Sequence, residues 1–537
     1  MKKTAKERIK ELIEEVFKDD PKLIGIEGKD VVVLPTLKEE FGEFYTNIAF
    51  RVKDRFPSPK DAAEYIKEKI LTLNLPFIKR IDVRNGFLNF FLSEDFYLGL
   101  ISEISSGDTS SLKPAPLNKK VLIEFVSANP TGPLTIAHGR QAAFGEALSR
   151  VLKYAGYEVT KEYYINNAGR QIRLLGESLK ARYLQLKGID CSIPEGGYEG
   201  DYLIDIAKKV PDENIEFDRF AADYILEDIK NDLRRFGVSF DNWISEVDFF
   251  KNGNVDKLLK DFESKGFIYP AEGSKWFKSS MYGDEKDRVV VKSDGSYTYL
   301  ASDIAYHKNK IDRGYDTLIN IVGPDHHGYI PRLKAVVETL GFNPENLRCI
   351  IVQLTTLYRG REKLSMSTRK GQFISLKQLM DEVGPDASKF FFIFRKAESH
   401  LDFDLELAKK QSTENPVYYL QYAYVRMKHI LEFAKEKGID VYSTDLSLLK
   451  EIEEISLMKY IAKFPDTIEA VVNSYGVHLL AEYLLDIAKL FHSYYHKHRV
   501  VGEDKNISSA RIILIRALLS VFSLSLNLLN ISLPERM

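Results

Sequence analysis

Three stretches of this 537-residue chain gather side chains that could handle phosphate and a cationic ligand. The first runs Ser127-Ala128-Asn129-Pro130-Thr131-Gly132-Pro133-Leu134-Thr135-Ile136-Ala137-His138-Gly139-Arg140. It follows a strand-like run and opens a helical pattern, so it offers free backbone N–H groups and a positive dipole end, both suited to phosphate. Small residues let a nucleotide approach the backbone, and His138 can donate to a phosphate oxygen. The spacing matches neither a P-loop nor GxGxxG, which disfavours the ordinary NTPase and dinucleotide readings. The plainer alternative is a helix-capping loop with a surface histidine.

The second stretch, 359–371, holds five cations within twelve residues (Arg359, Arg361, Lys363, Arg369, Lys370), interleaved with Ser, Thr and Gly. Such a loop could neutralise a triphosphate as a mobile lid, or it could be a solvated basic loop. The third is Tyr297-Thr298-Tyr299-Leu300-Ala301-Ser302-Asp303. If an extended segment turns into a helix there, Tyr299 and Asp303 share a pocket-facing side. With Glu124 on a nearby strand, they would suit a guanidinium, which pairs with planar carboxylates. The alternative is that Asp303 caps the helix and Tyr299 is core.

The elements that must position these groups are legible in outline. A strand at 121–126, a turn at 129–133, a helix starting near His138 and ending at Gly156, and a second strand from Glu158 open a parallel α/β sheet. The pattern returns with a strand at 317–322, a turn at 323–328, a helix at 330–340 and a strand at 348–354. Residues of about 170–285 read as an insertion, with charged helices at 205–237 and 253–265 and a β-like piece at 275–277. Residues 1–110 form a first unit closed by the alternating segment 86–92 after the turn signal Arg84-Asn85-Gly86. A linker rich in Ser, Gly and Pro follows at 105–118. From about 405 onward the pattern is that of a helical bundle.

Composition excludes little but bounds the rest. A 44% apolar, 29% charged chain is ordinary globular protein, too long for one core. A net charge of −2 argues against a histone-like coat for nucleic acid. Cys191 and Cys349 match no metal spacing and form no disulfide framework, which suits a reducing cytoplasm. The N-terminus reads as an amphipathic helix carrying Ile9, Leu12, Ile13 and Phe17, not as a signal peptide. No run of about 18 apolar residues is evident, so no membrane span is expected.

Together these segments resemble the class I aminoacyl-tRNA synthetases over nearly the whole chain, and the arginyl-tRNA synthetases in particular. Residues 133–140 resemble the HIGH motif and Ser365-Met366-Ser367-Thr368-Arg369 the KMSKS loop, each where a split Rossmann domain would put it. The block Ile123–Leu134 resembles the strand and turn before the HIGH motif of the arginine enzymes. There the residues matching Glu124 and Asn129 contact the amino acid, and those matching Tyr299 and Asp303 hold its guanidinium. Residues 164–171 and 323–329 are similar to two further active-site blocks. Residues 399–423 look like the entrance to the family's anticodon-binding domain, and Leu533-Pro534-Glu535-Arg536-Met537 like its ending. Gly86–Phe90 resembles a tRNA-contacting strand, with Phe87 and Asn89 at the contacting positions.

The resemblance implies three domains: an N-terminal α+β domain (1–110), a Rossmann-type parallel-sheet catalytic domain (118–400, inserted at 170–285) and an all-α anticodon-binding bundle (405–537). It implies ligation of arginine to tRNA through an arginyl-adenylate, with tRNA needed for the activation step. Mg²⁺-ATP is the co-substrate, and no protein-ligated metal is expected. ATP is assigned to Pro130, Thr135, Ala137, His138, Gly139, Asp325, His326, Met366, Ser367 and Thr368. Contacts to tRNA are assigned to Phe87, Asn89, Tyr422, Arg426, Tyr495, Arg499 and Met537. A cytoplasmic monomer is the expected form.

The motifs depart from the family pattern where catalysis is concerned. Thr135 and Ala137 replace the first His and the Gly of HIGH, and Ser365 and Thr368 replace both lysines of KMSKS. Arg369 or Lys370, helped by Lys363, is expected to supply the missing charge, so the catalytic set is His138, Arg369 and Lys370. These departures leave open a silent paralogue that binds tRNA or arginine; a second alternative is another class I synthetase specificity. From Asn415 onward there are 14 Lys and Arg against 14 Asp and Glu, so charge alone gives no support for RNA binding there.

Overall fold

The computed structural model describes residues 2–537 except 24, 27, 37, 74, 115, 117, 365–372 and 440–443. Its first helix, Ala5–Asp19, starts at a capping box in which Thr4 and Glu7 satisfy each other's backbone N–H groups. Its apolar stripe, Ile9, Ile13 and Phe17, is buried. Beside it lies an antiparallel sheet of order β1-β2-β4-β3, formed by β1 (Val33–Pro35), β2 (Phe44–Thr46), β3 (Ile78–Arg84) and β4 (Phe87–Leu92). Asn85 and Gly86 both take positive φ, 52° and 84°, which gives the tight turn joining β3 to β4.

The central sheet is wholly parallel. It contains β5 (Lys120–Glu124), β6 (Glu158–Ile165) and β7 (Asn242–Ser245). The antiparallel trio β8 (Ile268–Ala271), β9 (Ser274–Phe277) and β10 (Arg288–Val291) stands apart from it. The central sheet is completed by β11 (Thr317–Val322) and β12 (Leu347–Ile351), in the order β12-β11-β5-β6-β7. Val121, Leu122 and Ile123 are buried on both faces of β5, which is why that strand reads as a continuous apolar run. The stretch set apart as an insertion thus also supplies β7, an edge strand of the main sheet.

The strand expected at 348–354 stops short, and a separate one follows it. β12 ends at Ile351, and β13 (Thr355–Arg359) turns into β14 (Glu362–Lys363) and pairs in parallel with β15 (Leu401–Asp404). Arg359 therefore ends a strand and pairs with Glu382 at 2.9 Å. The charged helices expected at 205–237 are Tyr202–Ala207 and Phe217–Arg235.

Beyond residue 405 the chain is helical: Pro416–Glu436, Ile452–Ala462, Phe464–Ser474, His478–Lys497 and Lys505–Leu528. The last of these corrects the expectation of no membrane-length apolar stretch. An 18-residue window in it has mean hydropathy 1.8, enough by composition to cross a bilayer, and 61% of that window is buried inside the protein. Serines and arginines at 511 and 516 interrupt the run, so no uninterrupted apolar stretch is visible although the window's mean hydropathy stays high. The N-terminal unit and the bundle are bridged by Lys6 of the first helix with Glu469 at 2.5 Å and by Lys459 with Glu43 at 3.2 Å.

Candidate active site

The connection from β5 leads to β6 on one side, and that from β11 leads to β12 on the other. The C-terminal ends of β5 and β11 therefore flank the topological switch point, where open parallel sheets bind ligands. The turn leaving β5 is strained there. Val126 has φ 69° and Ser127 φ 38°, and the Ser127 N–H donates to the Phe125 carbonyl at 3.0 Å. A γ-turn of this hand at a β-branched residue costs about 1–3 kcal/mol, so its surroundings must hold it. Ser127 Oγ donates to Glu124 Oε1 at 3.0 Å and accepts the Tyr164 N–H at 3.1 Å, while Tyr163 Oη donates to the Ala128 carbonyl at 2.8 Å.

The turn ends in the helix Ile136–Tyr154, whose N-cap is Thr135. Its capping box uses His138: the Thr135 N–H donates to His138 Nδ1 at 3.1 Å. Nδ1 is thereby the acceptor, so the proton sits on Nε2, the atom free to donate elsewhere. Burial lowers the His138 pKa to about 4, so the ring stays neutral near pH 7. A cavity of about 280 Å³ is lined by Asn129, Thr131, Thr135, His138, Gln171 and Phe373, among others. Asn129 Nδ2 donates to Gln171 Oε1 at 2.7 Å on its wall. Pro130 is buried, and Ala137 is half-buried beside His138. A larger cavity of about 650 Å³ lies elsewhere, between the N-terminal segment and the bundle.

Gly139, expected at the nucleotide, is buried, and its missing side chain serves packing. A Cβ there would come within 2.7 Å of Leu376 and 3.1 Å of Phe392. The same contact ties the chain leaving 365–372 to the helix start: the Leu376 N–H donates to the Leu134 carbonyl at 2.7 Å, and Thr135 bridges Ser375. Met366, Ser367, Thr368, Arg369 and Lys370, with their expected roles, lie outside the described residues. Arg140, 1% exposed, donates to the carbonyls of Gln353, Leu354, Lys396 and Ser399, stapling the helix to the segments around β13 and β15. Across the switch point, Asp325 and His326 are exposed, with His326 Nε2 3.7 Å from Asp325 Oδ2.

A buried polar layer lies under the helix Tyr299–Asp312. Register aligns Asn320, Glu124, Glu162 and Asn242 in one row across β11, β5, β6 and β7. The helix covers that row with Asp303, Tyr306, His307 and Lys310, one to two turns apart on a single face, and Arg313 follows. Glu162, 0% exposed, takes a bidentate pair from Arg313 at 2.5 and 2.9 Å and the Tyr306 hydroxyl at 2.8 Å. Lys310 Nζ, also fully buried, donates to Glu124 Oε2 at 2.5 Å and to Asn320 Oδ1 at 3.0 Å. Asp303 accepts the Tyr329 hydroxyl. Its carboxyl is pushed up to about 7, chiefly by burial, with Glu124 and Glu246 adding repulsion.

Tyr299 heads the same helix, one turn before Asp303, with 70% of its surface exposed. Sequence reasoning missed Glu246, Glu162, His307 and Lys310. Glu246 is 4% exposed and acts on Tyr164 and Asp303. Polar residues at helical spacing read as a solvated face, and only the row of polar residues across four adjacent strands shows otherwise.

The residues expected to meet tRNA fall in two places. Phe87 packs against Tyr45 and Phe50, with centroids 5.9 and 5.2 Å away, on a sheet face where Arg80 lies over Phe91 at 3.9 Å. Asn89 on that face is buried, its amide 3.5 Å from the Asp82 carbonyl. In the bundle, Arg426 lies 4.4 Å from the Tyr422 ring and 4.6 Å from that of Tyr495, bridging two helices. Arg499 Nε donates to the Val501 carbonyl at 3.1 Å, and Met537 is half-exposed at the chain end.

Comparison with known proteins matches this organisation. Residues 101–193 and 200–404 match the model for the catalytic domain of tRNA synthetases class I (R). A methionyl-tRNA synthetase of Mycobacterium tuberculosis shares the fold at TM-score 0.57 and 11% identity, over 76% of this chain and 91% of its own. The switch-point sheet is the catalytic unit of a class I aminoacyl-tRNA synthetase. Residues 3–92 match the arginyl tRNA synthetase N-terminal domain, and residues 420–537 match the DALR anticodon binding domain.

Two relatives called arginine–tRNA ligase are 43% identical (Geobacter sp. strain M21, 93% of each chain) and 41% identical (Caldanaerobacter subterraneus subsp. tengcongensis, 99% of each). The Thermus thermophilus arginyl-tRNA synthetase superposes at TM-score 0.77 with 21% identity, over 99% of this chain and 100% of its own. The chain belongs to the arginyl-tRNA synthetase family. Its reaction is the ATP-dependent ligation of arginine to tRNA through an arginyl-adenylate.

Proposed function

We propose that arginine is activated at the switch point between β5 and β11, with tRNA already bound. Glu124, Asn129, Tyr299 and Asp303 hold the amino acid, joined by Glu246. Pro130, Thr135, Ala137, His138, Asp325 and His326 hold ATP, which brings Mg²⁺ with it as part of the substrate, and Gly139 serves that site by packing. The single observation that carries the reading is the carboxylate layer under Tyr299–Asp312. Glu246 is buried and Asp303 half-buried, and among the described residues neither forms an ion pair, with Lys310 acting on Asp303 only at a distance; that is costly unless a cationic ligand completes the site.

An oxygen of the arginine carboxylate attacks the α-phosphorus, and the bond to the β-phosphate oxygen breaks as pyrophosphate leaves. The terminal ribose hydroxyl of tRNA then attacks the carbonyl carbon, releasing AMP. Little covalent work falls to the protein, so positioning and charge stabilisation dominate. Neutral His138 donates Nε2–H to phosphate, and Arg369 and Lys370 with Met366, Ser367 and Thr368 neutralise the leaving pyrophosphate.

The tRNA contacts proposed are Phe87 and Asn89 at one end and Tyr422, Arg426, Tyr495, Arg499 and Met537 at the other. Stacking aromatics beside arginines support that assignment. We further infer a cytoplasmic monomer divided at 1–110, 118–400 and 405–537.

Pyrophosphate exchange with arginine, run with and without arginine tRNA, tests the order of binding. Equal exchange without tRNA refutes the requirement. Arg369→Ala and Lys370→Ala should each slow exchange, and normal rates in both would remove the charge-supplying role from that pair.

A further inference from the structure

Lys310 is fully buried in a pocket built to bind a cationic substrate, an arrangement that a binding role for Lys310 itself does not explain. Its ammonium donates to Glu124 Oε2 at 2.5 Å and to Asn320 Oδ1 at 3.0 Å, and sits 4.1 Å from the Tyr306 ring centroid. Donor and acceptor roles then follow along the chain. Asn320 spends its oxygen on Lys310, so its amide nitrogen faces His307 Nε2 at 3.3 Å as donor. His307 accepts there and donates from Nδ1 to the Asp303 carbonyl at 2.9 Å. Burial and the Lys310 charge depress the His307 pKa to about 3, which keeps the ring in that one neutral tautomer. The other oxygen of Glu124 is fixed by Ser127.

We propose that Lys310 is a positioning residue for arginine recognition: it orients the Glu124 carboxylate, and through Asn320 and His307 it sets the spacing between Glu124 and the turn of helix that carries Asp303. The inference rests on the reading of Glu124 and Asp303 as the two substrate-contacting carboxylates. A rigid chain of this kind fixes where two cationic groups must sit, so it selects a ligand by the separation of its amino group from its guanidinium. Glu124 receives one donor on each oxygen and keeps one acceptor site on each for the ammonium of arginine.

The test is arginine-dependent pyrophosphate exchange by the full chain with tRNA, for Lys310→Met, Asn320→Ser and Glu124→Gln. Lys310→Met should raise KM for arginine about tenfold or more, as expected when a buried charge-assisted bond is cut. KM for ATP should stay unchanged. Inhibition by agmatine, which keeps the amine and guanidinium, should weaken in parallel with arginine. Inhibition by 5-guanidinopentanoate, which lacks the amine, should not. Asn320→Ser keeps the Lys310–Glu124 pair and should give the same pattern at about threefold; it also serves if Lys310→Met does not fold.

If Glu124→Gln raises the arginine KM while neither Lys310→Met nor Asn320→Ser does, the positioning role fails and the reading of Glu124 stands. If Glu124→Gln leaves the arginine KM unchanged, the underlying reading fails instead. Equal loss of guanidinopentanoate and agmatine inhibition in the Lys310 and Asn320 variants would mean general collapse of the pocket and would also overturn the proposal.

Discussion

Gly145→Ala should damage arginine activation from the far side of the sheet. Gly145 lies in the helix Ile136–Tyr154, directly over the strand end that carries the site. A Cβ there would meet Cγ and Cδ2 of Phe125 at 2.4 Å, well inside contact distance. The ring cannot swing away, because Phe125 is 0% exposed and its centroid lies 4.4 Å from that of Phe240. Phe240 in turn packs on Tyr163, whose hydroxyl holds the Ala128 carbonyl, and Tyr163 stacks on Trp243 at 4.4 Å.

Two effects compete. Alanine gains about 1 kcal/mol over glycine in a helix, whereas overpacking a closed core costs about 1–3 kcal/mol. With ring atoms rather than a flexible chain end in the way, the overpacking term lies at the upper end of its range, and a net loss of up to about 2 kcal/mol is expected. Phe125 sits between Glu124 and the strained Val126, so a shift near 1 Å there should cost about 10–100-fold in kcat/KM for arginine.

The matched control is Gly99→Ala, in the helix Glu94–Ser105, where nothing lies within 4 Å of the new methyl. It should stabilise by up to about 1 kcal/mol and leave activity alone. The chain has two tryptophans, so fluorescence in a Trp276→Phe background reports Trp243 beside the site during urea unfolding. Pyrophosphate exchange gives the arginine KM. A Gly145→Ala protein with wild-type midpoint and arginine KM would refute the close-packing argument.

Arg140→Met should lower stability by about 3 kcal/mol in urea, because four carbonyls lose a charged buried donor. Unchanged stability would show that water replaces it. Asp303, held near 7 by burial, is protonated in the free site below that pH, so arginine must displace a proton. KM for arginine should therefore rise about tenfold per unit as pH falls below about 7, and Asp303→Asn should abolish that limb while weakening arginine use throughout. A pH-independent KM in the parent protein counts against it. For stability the sign is opposite to that of a paired carboxylate: between the ordinary Asp range and about 7 the folded state keeps a proton that the unfolded state releases, so this group lowers stability as pH rises through that window. His138→Ala should slow exchange about 10²-fold with the arginine KM nearly unchanged, and no His138 titration should be seen between pH of about 6 and 8, since its pKa lies near 4.

What the sequence determined by itself was local and short-range. Apolar runs such as Val121-Leu122-Ile123 fix buried parallel strands, the Asn85-Gly86 pair fixes a turn, and the helical pattern after the Pro/Gly turn fixes a helix, which the structure starts at Ile136. These are set by periodicity and backbone preference, and the family resemblance added which loops meet ligand. Most of the buried charged groups around the site were not legible. Beyond Glu124 and Asp303, the partners Glu162, His307, Lys310 and Glu246 are ordinary polar letters in sequence, and those on Tyr299–Asp312 share the spacing of a solvated helix face.

Only strand order and register decided otherwise. Pairing Asn320 with Glu124 and Glu124 with Glu162 lines up polar residues far apart in the chain, and the helix closing over them removes their water. Once buried, each must find a partner or shift its pKa. That selection among partners is a property of three-dimensional proximity, which one-dimensional spacing does not encode.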